Sequence, residues 1–524
     1  MFQKAGLLIL LCIARSLSSH TEEPRQLSVL MVTLPLSGHL AVHVALGEEL
    51  VRRGHSVTVF VAAPEGYSGL REQVEKGGIQ YRTAPVRTTR EEFVAIVENH
   101  VNNTLGLMGT LASGGRMVAF IQEILEVTYS VLAKSEPNQW DLVLTDEGTL
   151  SVTSCLSNIW RVPIIVLSSN LQFTPNHLPP WPFPTLLSNN LSDNLDFRGR
   201  FLVTIHAVLA RLMITMSVYA TSSAVIECPT TTTQIISMSG VRVPYIVPSV
   251  IGFEYPRPNS PLTTYVGPIL SPVTDPLPEN IQMWLGSRPT GSVVYISMGS
   301  GAILTHQAAR AIVEGLNITG HSAVWSLRKK NRAILDGLEV SDKKILLLDW
   351  APQLAILRHR SIRMAILHGG MNGVNEALHS GVPIIVLPSF ADQPANADRV
   401  AHHGLGIRLD PDDLTSVQII DSIHRIDSGD YHIRVNKLRK IFHHAGGVTK
   451  AADLVELYAE VGYDHLIPAY ARYGWTWIQY YNVDVCGLLL VIGGVIVWFM
   501  LRLCRCCIRR CFRCIVSSYK PKVE

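Results

Sequence analysis

Charge of one sign is missing from this chain. Lys and Arg number 45 against 42 Asp and Glu, the formal net charge is +3, and charged residues make up 17% of 524. So even a balance gives no basic footprint for a polyanion, and nucleic acid is excluded as the expected partner. Cysteine is scarce where it would matter for stability. Of nine, Cys12 lies near the start, while Cys486, Cys504, Cys506, Cys507, Cys511 and Cys514 crowd the far end. Cys155 and Cys228 alone remain in the large central part. That excludes a scaffold stapled by disulfides, and with it a receptor ectodomain of cystine-rich modules. The central part has to be held by its core. Internal repeats and low-complexity runs are also absent.

What the chain has in quantity is apolar surface. Hydrophobic residues make up 47% and the mean hydropathy is +0.22. Two runs account for much of this. Residues 1–20 carry an early Lys4, a short apolar stretch and a small polar flank, the pattern of a secretory signal. Val485 to Leu501 is free of charge. With its flanks (484–503) it is long enough for a membrane helix, which needs about 20 residues. Arg502, Arg505, Arg509, Arg510 and Arg513 follow at once, which places that end in the cytosol and the bulk of the chain in a lumen: a type I single-pass protein. Residues 466–483 then form a juxtamembrane segment and 504–524 a basic, Cys-rich tail. The tail cysteines lack the paired spacing of a zinc site; palmitoylation, or no modification, suits them better. The sequons at Asn102, Asn190 and Asn317 agree with a secretory route.

Along the central part, apolar runs alternate with helical patterns. "LSVLMVT" (27–33), "SVTVFVAA" (56–63), "DLVLT" (141–145) and "VPIIVLS" (162–168) read as buried strands. A helical pattern separates the first two, ending at Gly54. Residues 250–290 are rich in Pro and Ser, so a linker is placed at 261–283. The alternation then restarts, with strands at 292–299, 322–328, 344–349, 363–368 and 382–388 and helices at 306–316 and 370–381. The reading is α/β: two doubly wound, Rossmann-like domains, 21–260 and 284–465, facing across a cleft. In such sheets ligands bind at the carboxyl ends of the strands.

Within the second domain, "LHGGMNGVNEALHSGVP" (367–383) ends a strand, turns through His368-Gly369-Gly370 and enters a helix. The first N–H groups of a helix lack internal partners and carry partial positive charge, which makes the turn an anion site. Glycine lets a phosphate approach the backbone. His368 and Asn372 add side-chain donors, and Glu376 lies one turn beyond Asn372, where a carboxylate suits two ribose hydroxyls. Together they spell a nucleoside diphosphate. Glycines alone would more often mean a tight turn. Trp350 and Gln353, at the end of the preceding strand, could stack on and bond a base; Trp350 alone would more often be packing.

"WAPQLAILRHRSIRMAILHGGMNGVNEALHSGVPIIVLPSFADQPANADRV" (350–400) resembles the signature of the UDP-glycosyltransferases, the large inverting family with the two-domain GT-B fold. "WLGSRPTGSVVYISMGS" (284–300) is similar to the strand that opens that family's C-terminal domain. The resemblance covers about residues 27 to 460, and the tail looks like that of the membrane-anchored animal branch. It implies Trp350 stacking on uracil beside Ala351 and Gln353. Ser300, His368, Gly370 and Asn372 would hold the diphosphate, Glu376 the ribose, and Asp392 and Gln393 the sugar hydroxyls. Gly373 departs from the pattern, since many members have a phosphate-touching Ser there.

The resemblance also points to a general base. A neutral His can take the proton of an attacking hydroxyl near pH 7, helped by a carboxylate that orients it. His39 follows the first strand and Asp146 ends another; they match the family's base and partner. His43 is the rival base, on a helical pattern where packing is commoner. Asp410-Pro411-Asp412 spells the Asp-x-Asp of metal-dependent transferases, but reads better as the start of a helix. No metal is expected, and no bound cofactor beyond the UDP-sugar co-substrate. Lys520 and Lys522 resemble the dilysine signal of type I proteins of the endoplasmic reticulum. The expectation is a lumenal enzyme there, passing glucose or glucuronic acid to a lipophilic acceptor. Whether it forms homo- or hetero-oligomers is open. The alternative is a catalytically silent, membrane-anchored binding or partner protein on the same scaffold.

Overall fold

The computed structural model describes residues 25–518, except 67–70, 104–106, 137, 169–195, 200, 202–204, 206–241, 257–258, 273–275, 300–303, 390–391 and 474–475. Two parallel sheets organise it. The first has seven strands: β1 (Ser28–Val32), β2 (Ser56–Pro64), β3 (Gln80–Val86), β4 (Leu142–Thr145), β5 (Ile164–Leu167), β6 (Tyr245–Val247) and β7 (Thr263–Tyr265). Their order is β3-β2-β1-β4-β5-β6-β7. The second has six: β8 (Val293–Ser297), β9 (Ser322–Ser326), β10 (Ile345–Leu348), β11 (Ile362–Leu367), β12 (Ile384–Val386) and β13 (Gly406–Arg408), ordered β10-β9-β8-β11-β12-β13. These strands read as unbroken apolar runs because helices cover both faces of a parallel sheet.

The helices that matter below are α1 (Ser37–Arg52), α2 (Leu107–Leu132), α3 (Leu150–Trp160), α4 (His306–Thr319), α5 (Gln353–Leu357), α6 (Met371–His379), α7 (Gln393–His402), α8 (Ser416–Ser428), α9 (Tyr431–Ala445), α10 (Gly447–Val461) and α11 (Val483–Ser518). α8 starts at Thr415, which forms a capping box with Gln418. Asp410 and Asp412 are therefore not the helix start expected for them. The Asp410 carboxylate accepts from the Asp412 N–H at 3.0 Å, in a turn ahead of the cap.

The domain boundaries need correction at two places. Thr263–Tyr265, inside the expected linker, pairs with β6 and closes the edge of the first sheet. Further along, α10 leaves the second domain and returns to the first, where Ala451, Ala452, Leu454, Val455 and Tyr458 join the core that covers β1 and α1. Its outer face is tied down by Arg53, whose Nη1 donates to Asp453 and Glu456 at 2.8 Å, and by His55 to Glu456 at 2.9 Å. A return over some 180 residues leaves no local signal.

Cys155, in α3, is disulfide-bonded. Asn102 lies in the helix Arg90–Asn103. Asn317 lies in α4, and its side-chain amide donates to the Glu339 carbonyl at 3.4 Å. Asn190, Cys228, Lys520, Lys522 and the signal segment 1–20 fall outside the described residues. Among the described residues one helix, α11, is long and apolar enough to cross a membrane, and none of its apolar stretch is buried.

Candidate active site

Each sheet reverses its winding once, and the candidate residues gather at those two points. In the first sheet the reversal lies between β1 and β4, paired from Val29↔Leu142 to Val32↔Thr145. The chain leaving β1 starts α1 and places His39 in its first turn; the chain leaving β4 places Asp146 beside it. His39 Nδ1 lies 3.2 Å from Asp146 Oδ2. The Asp146 carboxylate is fully buried, while His39 keeps 26% of its side chain open to the cleft.

Asp146 is held by more than His39. Its Oδ2 accepts from Thr33 Oγ1 at 2.9 Å and from the Leu34 N–H at 2.8 Å, and its Oδ1 from the Thr149 N–H at 2.9 Å and Thr149 Oγ1 at 3.1 Å. Burial raises its pKa, but the hydrogen bond and charge of His39 and the other donors outweigh this and hold it well below the usual carboxylate range. For His39, burial lowers the pKa, and the Asp146 hydrogen bond with the charges of Asp146, Glu147 and Asp392 raises it above 6.5 overall. An ionised Asp146 fixes the proton on Nδ1 and leaves the Nε2 lone pair for chemistry. His43 sits one turn further on, 1% exposed, with Nδ1 donating to the His39 carbonyl at 2.9 Å. Its Nε2 is buried without a partner and burial lowers its pKa. The structure therefore packs His43 in the core and gives the carboxylate to His39.

In the second sheet the reversal lies between β8 and β11, with Ser297 opposite Leu367. The loops beyond them, Met298-Gly299 and His368-Gly369-Gly370, therefore emerge side by side. Ser300 falls outside the described residues. The His368 ring is clamped between glycines. A Cβ on Gly299 would lie 2.6 Å from its Cε1, and one on Gly370 2.5 Å from its Nε2. Gly299 has φ +67°, so it needs glycine for conformation as well as space. Burial lowers the His368 pKa to about 4, so the ring is a neutral donor at pH 7. Its Nδ1 is buried, and a backbone hydrogen bond with Ser297 acts on the ring against burial. Gly370 is the N-cap of α6 and supplies no side-chain cap, so the first N–H groups of that helix open onto the same turn.

The residues expected at the base form a chain. Tyr295 in β8 donates its hydroxyl to Gln353 Oε1 at 3.0 Å, and Gln353 Nε2 donates to Glu376 Oε2 at 2.6 Å. Burial raises the Glu376 pKa to about 7, against the Gln353 hydrogen bond. Ala351 is buried, whereas Trp350 is 76% exposed, with its ring free for stacking. Gly373 is buried, and a Cβ there would stand 3.5 Å from Gln353 Nε2.

Asp392 stands at the N-cap position of α7 without a side-chain cap bond and accepts from Asn396 Nδ2 at 2.8 Å; burial raises its pKa, with His39 near enough to oppose that. The buried Gln393 accepts from the Ser389 N–H at 2.9 Å. Asn372, expected at the diphosphate, donates across the cleft to the Gly38 carbonyl at 2.9 Å, next to His39.

Sequence reasoning missed the supports. Thr33, Thr149 and Tyr295 sit in or beside buried strands, where such residues usually pack. Asn396 carried a signal, four residues beyond Asp392 on a helix. Its Nδ2 also donates to the Gly369 carbonyl at 2.9 Å, and its Oδ1 accepts from Arg399 Nη1 at 2.8 Å. Arg399 Nε stands 3.0 Å from Glu254 Oε2, and both side chains are almost fully buried. This ion pair joins the glycine turn to the segment between the domains. Glu254→Gln would leave Arg399 buried and unpaired, so it is expected to destabilise the protein by about 3 kcal/mol or more. Denaturant unfolding of the detergent-solubilised chain measures this; a change under about 1 kcal/mol would mean the guanidinium is solvated.

Comparison with known proteins adds to this geometry. The family profile described as "UDP-glucoronosyl and UDP-glucosyl transferase" matches residues 28–517. The chain belongs to that family. It is a glycosyltransferase. UDP-glucuronosyltransferase 2B18 of Macaca fascicularis is 26% identical over 499 residues, covering 88% of this chain and 89% of that protein. UDP-glucuronosyltransferase 2B7 of Homo sapiens is 24% identical over 505 residues, with the same coverage. Among solved structures, the glycosyltransferase of kitacinnamycin has a TM-score of 0.59 at 21% identity, over 83% of this chain and 99% of its own. The calicheamicin glycosyltransferase CalG4 has a TM-score of 0.53 at 21% identity, over 83% and 98%. These likenesses show the fold: two Rossmann-like domains in the GT-B arrangement.

Proposed function

We propose that this glycosyltransferase moves a glucosyl or glucuronosyl group from a UDP-sugar to the hydroxyl of a lipophilic small molecule, inverting the anomeric centre. The observation that carries the proposal is the meeting of two half-sites. His39 with its carboxylate, and the glycine-clamped turn with Asp392, face one cleft closely enough for Asp392 to act on the His39 charge. Asn372 bonds the loop of His39 itself.

In this reading uracil stacks on Trp350 and meets Gln353, and the ribose hydroxyls donate to Glu376. The diphosphate lies on the α6 N-terminus with His368, and Ser300 completes its cradle. Asp392 and Gln393 take the sugar hydroxyls. His39 Nε2 accepts the acceptor's proton as its oxygen bonds to the anomeric carbon. The bond from that carbon to the phosphate oxygen breaks on the opposite face, and UDP leaves. Asp146 then stabilises the imidazolium. The helix N-terminus and the turn's donors compensate the leaving diphosphate, so no metal is needed.

The active site lies in the lumen of the endoplasmic reticulum, with α11 as a type I anchor. The relatives named UDP-glucuronosyltransferases support glucuronic acid as the first donor to try. The test is a screen of UDP-glucose and UDP-glucuronic acid on microsomes with mixed phenols, sterols and lipids. Transfer that survives a chelator and vanishes in the His39→Ala control is expected. Loss on chelation would end metal independence, and inactivity with every donor would favour the silent-partner alternative.

A further inference from the structure

We propose that the cytosolic end of α11 is an S-acylation site, with Cys504, Cys507 and Cys511 as its acceptor thiols. This rests on the type I orientation proposed above, because acyl-CoA is a cytosolic reactant. α11 runs unbroken for 36 residues, well beyond the about 20 that a bilayer requires. The apolar run ends at Leu501, so the helix continues past the membrane for several turns.

Those turns are two-faced. At about 100° per residue, Cys504, Cys507 and Cys511 fall within an arc of about 60°. Leu503, Ile508 and Phe512 flank that arc and are 47%, 65% and 69% exposed. Arg502, Arg505, Arg509 and Arg513 fall on the opposite side, and Arg510 falls at the border beside Leu503. The Arg502 guanidinium lies over the Trp498 ring, 4.5 Å from its centroid, at the end of the apolar run. The three thiols are free and exposed.

Because α11 continues unbroken from the span, its first turns past Leu501 cross the head-group layer, where arginines meet anionic head groups and the thiol-bearing face stays near the acyl boundary. Cys504 and Cys507 lie within about 9 Å of the end of the run, at 1.5 Å per residue. In each reaction a thiolate sulfur attacks the carbonyl carbon of a fatty acyl-CoA. The new carbon–sulfur bond forms as the one to coenzyme A breaks, and coenzyme A leaves as its thiol. One thioester replaces another, and no oxidant or reductant is consumed.

Cys506 supplies an internal control, since it falls among the arginines, as does Cys486 at the far end of the span. The test is hydroxylamine-dependent mass-tag exchange on the full chain expressed in cells. An epitope tag after Glu524, read with antibody after selective plasma-membrane permeabilisation, reports orientation. Tag accessible and up to three tags added per chain, lost in the Cys504→Ser/Cys507→Ser/Cys511→Ser variant and kept in Cys506→Ser, is the expected result. An accessible tail without tags, or tags lost equally in Cys506→Ser, would overturn acylation while leaving the orientation intact. A protected tail would overturn both.

Discussion

Replacing His39 with alanine is expected to lower kcat by about 10²- to 10⁴-fold, the usual contribution of a positioned general base. The KM for the UDP-sugar is expected to stay within a few-fold, because His39 belongs to the acceptor half of the cleft. Asp146→Asn should fall nearly as far. An uncharged partner neither fixes the tautomer nor stabilises the imidazolium. The pH profile separates this from a structural role. Only the unprotonated imidazole can accept a proton, so kcat/KM rises with pH through the His39 pKa. In the wild type that pKa is raised above 6.5, mainly by the Asp146 hydrogen bond and charge working against burial. In Asp146→Asn burial is left unopposed by that carboxylate, so the acid limb should move to lower pH while the plateau drops. A limb that stays in place would mean that another group titrates.

The second large effect belongs to the glycine clamp. Gly299→Ala and Gly370→Ala each put a methyl within 2.6 Å of the His368 ring. The ring is buried between them and cannot swing away without leaving the turn. At Gly299 the left-handed backbone adds a cost of about 1 kcal/mol. A shift of about 1 Å in His368, proposed above to meet the diphosphate, is worth about 100-fold. Each variant is therefore expected to lose about that factor in kcat/KM for the donor, measured with donor varied at saturating acceptor. Gly286→Ala is the control, since it lies away from the cleft and a Cβ there meets nothing within 4 Å.

The legible parts of this protein are those that pattern fixes locally. β1, β2, β4, β5 and β8 to β12 appear in the sequence because both sheet faces are covered, so each strand is an apolar run. The His368-Gly369-Gly370 turn could be read because each residue has a separate physical reason. β6 and β7 are three residues long and sit among prolines, too short for any period. The return of α10 to the first domain and the Arg399–Glu254 pair depend on contacts hundreds or dozens of residues apart. Asp146 could be picked out, but not the four donated hydrogen bonds from Thr33, Leu34 and Thr149 that hold it charged. Nor could the sequence show that Asn372 bonds the Gly38 carbonyl of the other domain. Much of the acceptor side, 169–195 and 206–241, lies outside the described residues.

The reading stands or falls on whether the glycine turn and Glu376 hold a uridine diphosphate sugar. Calorimetric titration of the detergent-solubilised full chain with UDP-glucose and UDP-glucuronic acid, at pH 6 and pH 8, measures this. Glu376, raised to about 7 by burial, is mostly protonated at the lower pH and mostly ionised at the higher. An ionised carboxylate accepts both ribose hydroxyls, so binding should be saturable and tighter at pH 8. In Glu376→Ala it should weaken by at least about tenfold, the worth of one hydrogen bond to a charged group, and lose its pH dependence. No binding of either nucleotide sugar, or equal binding by wild type and Glu376→Ala at both pH values, would contradict the account.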